Sequence, residues 1–135
     1  MSLKVTNYER IWIDGMNRGD LSTADVAFAP DSVIHMAGAP KPSISVSEYK
    51  DFVRDLLIAL PDLRLNVEDQ IVSGDKVATR WTAVGTHSGP LGDSPPTGKR
   101  AQFDGLILDR VVNDQVVERW ERWDQFGMLQ QLGIL

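Results

Sequence analysis

At Pro61 the spacing of apolar residues switches from a helical period to strict alternation, and this switch divides the chain into two kinds of structure. Ahead of it, Tyr49, Phe52, Val53, Leu56, Leu57 and Leu60 share one helical face. Ser45-Val46-Ser47-Glu48 matches a capping box, a serine hydroxyl for the first free N–H groups and a glutamate to return the bond. Proline cannot donate the next helical hydrogen bond, so the helix stops there. Beyond it, Leu63, Leu65 and Val67 alternate with Arg64, Asn66 and Glu68, which predicts a strand running toward Ile71. Gly74-Asp75 reads as a turn, and Lys76 to Thr86 as a second strand. Prolines and glycines make a loop of residues 88–99, Ala101 to Val111 is a third strand, and an Asn113-Asp114-Gln115 turn leads into a fourth, Val116 to Asp124.

The first third of the chain is helical by the same test. Val5, Tyr8, Ile11, Trp12 and Met16 form one stripe in a helical pattern that opens from Met1, with no apolar leader. Gly19 and Asp20 break it, a short helix covers Ser22 to Phe28, and Pro30 and Asp31 end that one. Ser32 to Ala37 reads as a brief strand carrying His35, Pro40 and Pro42 as a loop, and the last ten residues as a turn of helix packing Phe126, Leu129 and Leu132. Helices followed by an antiparallel meander make one α+β domain over residues 1–135. A strongly bent sheet of four long strands and one short strand, wrapped on helices, encloses a cone whose interior suits a small molecule. The face of the last strand bearing Val117, Arg119, Glu121 and Trp123 is too mixed for a core, and is expected outside, against water or a second copy in a homodimer.

Composition removes several function classes. Fourteen basic against nineteen acidic residues give a net charge of −5, which disfavours nucleic acid and anionic membrane as partners. No apolar run reaches the roughly 20 residues of a membrane span. With no cysteine and two histidines the chain makes a poor zinc site, and the absence of thiols fits a cytoplasmic protein.

The chemistry is expected in Glu118-Arg119-Trp120-Glu121-Arg122-Trp123-Asp124. Alternation puts Trp120 and Asp124 on one face, and a carboxylate among indole rings has its pKa raised toward the range of a general acid or base. The competing role for Asp124 is to cap the C-terminal helix, and a solvent-facing cap would favour ligand binding over catalysis. His35 suits proton relay or a structural bond, and His87 a pocket mouth or a loop brace. Arg80, among apolar neighbours, is expected first to pair with an acid such as Glu118 and second to anchor substrate. Trp120 is expected as a pocket wall.

The order Pro61-Asp62, Gly74-Asp75-Lys76-Val77-Ala78-Thr79-Arg80, Gly85-Thr86-His87-Ser88-Gly89, Pro96-Thr97-Gly98-Lys99, Arg110, Trp120, Asp124 and Gln131-Leu132-Gly133 resembles the SnoaL-like polyketide cyclase family, also called ester cyclases. That family is similar in fold to nuclear transport factor 2 and ketosteroid isomerase, a cone-shaped barrel of bent sheet on three helices. The resemblance implies a cofactor- and metal-independent aldol ring closure of a small carbonyl substrate, with Asp124 as acid and base, and the relay reading of His35 would set that imidazole beside it. One departure bears on the substrate: the cyclases carry a histidine on the strand before that aspartate, and here Arg110 lies near its place. A ketosteroid isomerase would need a tyrosine deep in the pocket, whereas Tyr8 lies near the start of the first helix. An epoxide hydrolase would want an acid–arginine–acid set, which Arg110-Val111-Val112 does not supply. A scytalone-type dehydratase would use His35, His87 and Asp124 together. A non-catalytic protein that binds a small apolar ligand, and a pure dimerisation module, complete the alternatives.

Overall fold

The computed structural model describes residues 5–135, so the expected helical start at residues 1–4 lies outside the described part. Helix α1 (Asn7–Asn17) is followed by a 3-10 turn (Leu21–Thr23) and a short α2 (Ala24–Ala27), which replace the single helix expected over Ser22 to Phe28. Strands β1 (Phe28–Met36) and β2 (Ser43–Ile44) come next, then α3 (Val46–Ala59). The meander is β3 (Arg64–Ser73), β4 (Lys76–Thr86), β5 (Arg100–Val112) and β6 (Gln115–Trp123), closed by α4 (Gln125–Gln131).

The α+β class stands, with two corrections to its detail. The sheet has six strands in the order β2-β1-β6-β5-β4-β3, and it is curved but unclosed, with β2 and β3 as free edges. The fourth helix lies at the C-terminus, and its Phe126 is exposed while Met128 and Leu132 are buried. Strand β1 also starts earlier than expected. It runs parallel to β6, and the register slips between Phe28 and Val33, so Pro30 sits where no ladder N–H is required.

Local sequence explains the rest. The Ser45 hydroxyl accepts from Glu48 N at 3.2 Å, and the Glu48 carboxylate accepts from Ser45 N at 3.1 Å, completing the expected box on α3. Asn113 and Asp114 both have positive φ, 52° and 62°, as a two-residue hairpin turn between β5 and β6 requires. Along β4 and β5 the odd-numbered side chains face the helices: Val77, Thr79, Trp81 and Ala83, then Ala101, Phe103, Ile107 and Asp109 are all buried. Gly105 stands opposite Trp81, and a Cβ there would collide with the indole ring.

A bulge overturns the expected parity of β6. Val111 pairs with Val116 but Arg110 pairs with Glu118, leaving Val117 unopposed. Past that extra residue Arg119 and Glu121 are buried on the inner face and Trp123 packs against the core, while Trp120 lies on the outer face. Of the mixed set expected to face water or a second copy, Arg119, Glu121 and Trp123 form the inner wall.

Candidate active site

Arg119 is fully buried at the middle of this inner wall. Its Nε donates to Asp109 Oδ1 at 2.7 Å, and Nη2 to Asp109 Oδ2 at 3.0 Å and Glu9 Oε2 at 2.6 Å. Nη1 donates to the Tyr49 hydroxyl at 3.2 Å, which in turn donates to Glu121 Oε1 at 2.7 Å. The Tyr8 hydroxyl donates to Asp109 Oδ2 at 2.7 Å. The guanidinium also lies 4.9 Å from the centroid of the Phe28 ring. Two helices and two strands thus supply one cluster: Tyr8 and Glu9 from α1, Tyr49 from α3, Asp109 from β5, Arg119 and Glu121 from β6.

One buried cation faces three buried carboxyls here, so full ionisation would leave excess negative charge out of reach of water. The Glu9 carboxyl is pushed up to about 7, by burial first and by the charge of Asp109, against the pull of Arg119. Glu121 is also raised, with burial again the largest cause and Arg119 and the Tyr49 hydroxyl opposing it. Burial and the neighbouring carboxylates hold the Tyr8 and Tyr49 hydroxyls protonated. Burial would lower the guanidinium, but the Asp109 and Glu9 charges outweigh it and keep Arg119 charged.

The cluster borders an internal cavity of about 40 Å³. Trp12, Phe52, Trp81, Phe103 and Trp123 form its aromatic walls, and Glu9, Tyr49, Arg119 and Glu121 are the polar part of its lining. Glu9 Oε1, Trp12 Nε1 and Trp81 Nε1 are buried without a hydrogen-bond partner. Trp123 Nε1, by contrast, donates to the Ala37 carbonyl at 3.0 Å.

None of the residues expected from the sequence lines this cavity. Asp124 is exposed, and its Oδ1 accepts from Gly127 N at 2.9 Å, capping α4. The strand ends at Trp123, so Asp124 follows the helix and not the alternation of β6. His35 lies on the outer face, stacked on Trp120 at 5.4 Å between centroids, with Nε2 2.8 Å from Glu118 Oε2 and Nδ1 2.9 Å from Ser43 Oγ. Trp120 is therefore no wall of the interior. Arg110 reaches the same Glu118 at 3.5 Å, and these contacts hold the Glu118 carboxyl below its ordinary range, the His35 bond first among them. Arg80 is exposed and lines an open groove outside the sheet with Trp120, and Glu118 pairs with His35 and Arg110 in its place. His87 is fully buried, with Nδ1 3.0 Å from Thr97 Oγ1, and braces the loop of residues 88–99. The two histidines and Asp124 do not converge.

The buried cluster carried a signal in the sequence. Glu9 interrupts the apolar stripe of α1 one turn before Trp12, and Asp109 continues the inward alternation of Phe103 and Ile107. The acid–arginine–acid set that Arg110 does not provide exists instead around Arg119, and Tyr8 is buried against it. Among the described residues no three potential ligands are grouped to hold a metal ion.

The sequence model for the SnoaL-like polyketide cyclase family matches residues 4–132. Among solved structures, the chain is similar to IdmH of Streptomyces antibioticus, a candidate polyketide cyclase, at 33% identity over 94% of this chain and 96% of that one, with a TM-score of 0.85. AclR of Streptomyces galilaeus, a candidate hydroxylase, is 30% identical over 95% of this chain and 94% of that one, with a TM-score of 0.83. At 11% identity, a protein of Catenulispora acidiphila with a ketosteroid isomerase-like fold matches 98% of this chain and 96% of its own with a TM-score of 0.80, a likeness of fold alone. No curated protein sequence matches.

Proposed function

Because this chain belongs to the SnoaL-like polyketide cyclase family, we propose that it is an acid–base enzyme of the cyclase type, working without a cofactor on a small carbonyl compound admitted where the aromatic walls of the internal cavity part, since the hollow of about 40 Å³ itself holds little more than water. The observation that supports this is a pair of carboxyls, Glu9 and Glu121, both buried, both raised in pKa and both bordering that cavity. Asp124, outside it, is left with the role of helix cap.

Ionised Glu121 takes a proton from the carbon next to a carbonyl, breaking the C–H bond and leaving an enolate. The enolate carbon attacks a second carbonyl of the same molecule, forming the ring bond, and the new alkoxide takes a proton from Glu9. The cluster holds as many protons afterwards as before, and exchange with water resets the two carboxyls once product leaves. Near neutral pH, Glu9 is divided between its two forms, as a group that donates and regains a proton must be. Arg119 and Asp109 fix the geometry, and Tyr49 ties Arg119 to Glu121.

The reading includes a cytoplasmic homodimer, formed through the outer face of the sheet. Ile71, Leu106 and Leu108 are exposed there beside Trp120. No described helix is long and apolar enough to cross a membrane. Sedimentation of Leu106→Glu tests the dimer, with a monomer expected.

The test of the chemistry is hydrogen–deuterium exchange at the α-carbon of 2-tetralone in heavy water, followed by NMR. Glu121→Gln keeps the fold and slows exchange at least about a hundredfold, the scale of a lost general base. Equal exchange by the two proteins refutes the assignment of Glu121. Binding of 2-tetralone with no exchange above the buffer rate in the wild type would make this a ligand-binding member of the fold.

A further inference from the structure

Three residues of the hollow's wall also face a second space. Phe52, Leu56 and Trp123 line the internal cavity on one side and a surface cleft of about 560 Å³ on the other. The partition between the two spaces is therefore one side chain thick. Both aromatic rings are half-buried and meet edge to face, with centroids 6.1 Å apart. Phe52 stands on α3 and Trp123 on β6, and the indole is tethered to the Ala37 carbonyl at 3.0 Å. A turn of the Phe52 ring about its side-chain bonds parts the two without moving a strand.

The cleft is built from three segments. Ile58 extends the α3 wall, the loop of residues 88–99 contributes Leu91, and α4 contributes Met128 and Leu129. The loop is pinned at its base, where Ser88 N and Gly89 N both donate to the Ala59 carbonyl at 3.1 Å. Only glycine fits there, since a Cβ at Gly89 would collide with the Ile58 carbonyl. At the tip, Leu91 and Ser94 exchange backbone hydrogen bonds of 2.9 Å in both directions. The wall is thus formed before any ligand arrives.

Size and charge then define the occupant. Small-molecule sites enclose roughly 300–1,000 Å³, a range that takes in the cleft and leaves out the hollow. Among the described lining residues Asp55 alone is charged, so a phosphate or carboxylate finds no cation here. Aromatic, thioether and aliphatic side chains suit a flat apolar body. On the inner face of β6, Glu121 stands two residues before Trp123, just behind the partition.

From this geometry we infer that the cleft holds the body of the substrate, a neutral, elongated aromatic ketone, whose carbonyl end passes between Phe52 and Trp123 toward Glu121. The assignment rests on the acid–base reading of the inner carboxyls, and adds to it the site that selects the substrate.

The probe is 6-propionyl-2-(dimethylamino)naphthalene, a neutral ketone on a flat body whose fluorescence shifts to the blue when it leaves water. Titrated with the wild-type protein it gives a saturable blue shift. Leu91→Glu weakens binding at least about tenfold, because an apolar body then desolvates a carboxylate. Ile58→Glu weakens it in the same direction, and since Ile58 is 51% exposed this variant keeps the fold if Leu91→Glu does not. Ile71→Glu, in the groove outside the sheet, binds the probe as the wild type does. In 2-tetralone exchange, where the fused benzene ring takes the place of the body, the two cleft variants raise KM more than they lower kcat.

No saturable shift up to the solubility of the probe would overturn the inference. So would cleft variants that bind it as tightly as the wild type, a loss of binding in Ile71→Glu instead, or a fall in kcat with KM unchanged. Glu121→Gln separates the two levels of argument. If it abolishes exchange while the wild type gives no blue shift, the acid–base reading stands and the cleft falls. If it exchanges as fast as the wild type while the cleft variants lose the probe, the cleft stands as a ligand site and the acid–base reading falls.

Discussion

Replacing Arg119 with methionine tests whether the buried cluster is an electrostatic unit. The side chain is roughly conserved in volume, but Asp109, Glu9 and Glu121 lose the only cation that meets them inside the sheet among the described residues. Removing one partner of a buried ion pair costs about 3–5 kcal/mol, because the charges left behind are out of water. In a domain of this size each kcal/mol lowers Tm by about 3–5 °C, so Arg119→Met should melt about 10–25 °C below the wild type at pH 8. The deficit must depend on pH. Without Arg119 the Glu9 and Glu121 carboxyls, already raised by burial, titrate further above their unfolded values of about 4. Between those values and the raised ones the folded state binds more protons, so the variant loses stability as pH rises and recovers it as pH falls. Melting followed by circular dichroism from pH 4.5 to 8.5 should show a gap that is small at the acid end and widest at the alkaline end. Arg110→Met is the control, since that arginine is partly exposed and only 3.5 Å from Glu118, and its effect should stay below about 1 kcal/mol throughout. A small and pH-independent loss in Arg119→Met would refute the account of the cluster.

Three further outcomes follow from the same geometry. The Glu9 carboxyl contributes stability that is complete below its unfolded pKa of 4.5 and is lost as pH rises through about 7, so Glu9→Gln should flatten the fall in denaturation midpoint across that window. Asp124→Ala should cost about 1 kcal/mol in chemical denaturation, the value of an N-cap, and leave the 2-tetralone exchange rate unchanged. Gly105→Ala should push the Trp81 ring aside, destabilise the fold by about 1–3 kcal/mol, and slow exchange in a way that Asp124→Ala does not.

The period change at Pro61, the box at Ser45 and the turn at Asn113-Asp114 were legible in the sequence because each rests on interactions between near neighbours. The position of the buried cluster was not. Counting residues along β6 assumes unbroken alternation, and the unopposed Val117 reverses it, so Arg119 and Glu121 turn inward and Trp120 outward. Composition compounded the error, since a strand face carrying arginine and glutamate reads as solvated until its partners are known. Those partners, Glu9 and Asp109, lie on α1 and β5, and only the folded sheet brings them together. Asp124 read two ways for a simpler reason: as both strand end and cap, it obeys whichever element wins locally, and the helix wins.

The long reach of the Arg119 contacts has a consequence for biosynthesis. Arg119 meets Glu9 across 110 positions of chain, and Tyr8 meets Asp109 across 101. While the ribosome is still adding the final strand, the first helix carries an acid with no cation to meet it and has little reason to settle on the sheet. Loop-closure entropy slows such distant pairings. The hollow therefore takes shape only once the last strand has emerged, and a copy stalled before that strand would expose the aromatic lining to chaperones and proteases.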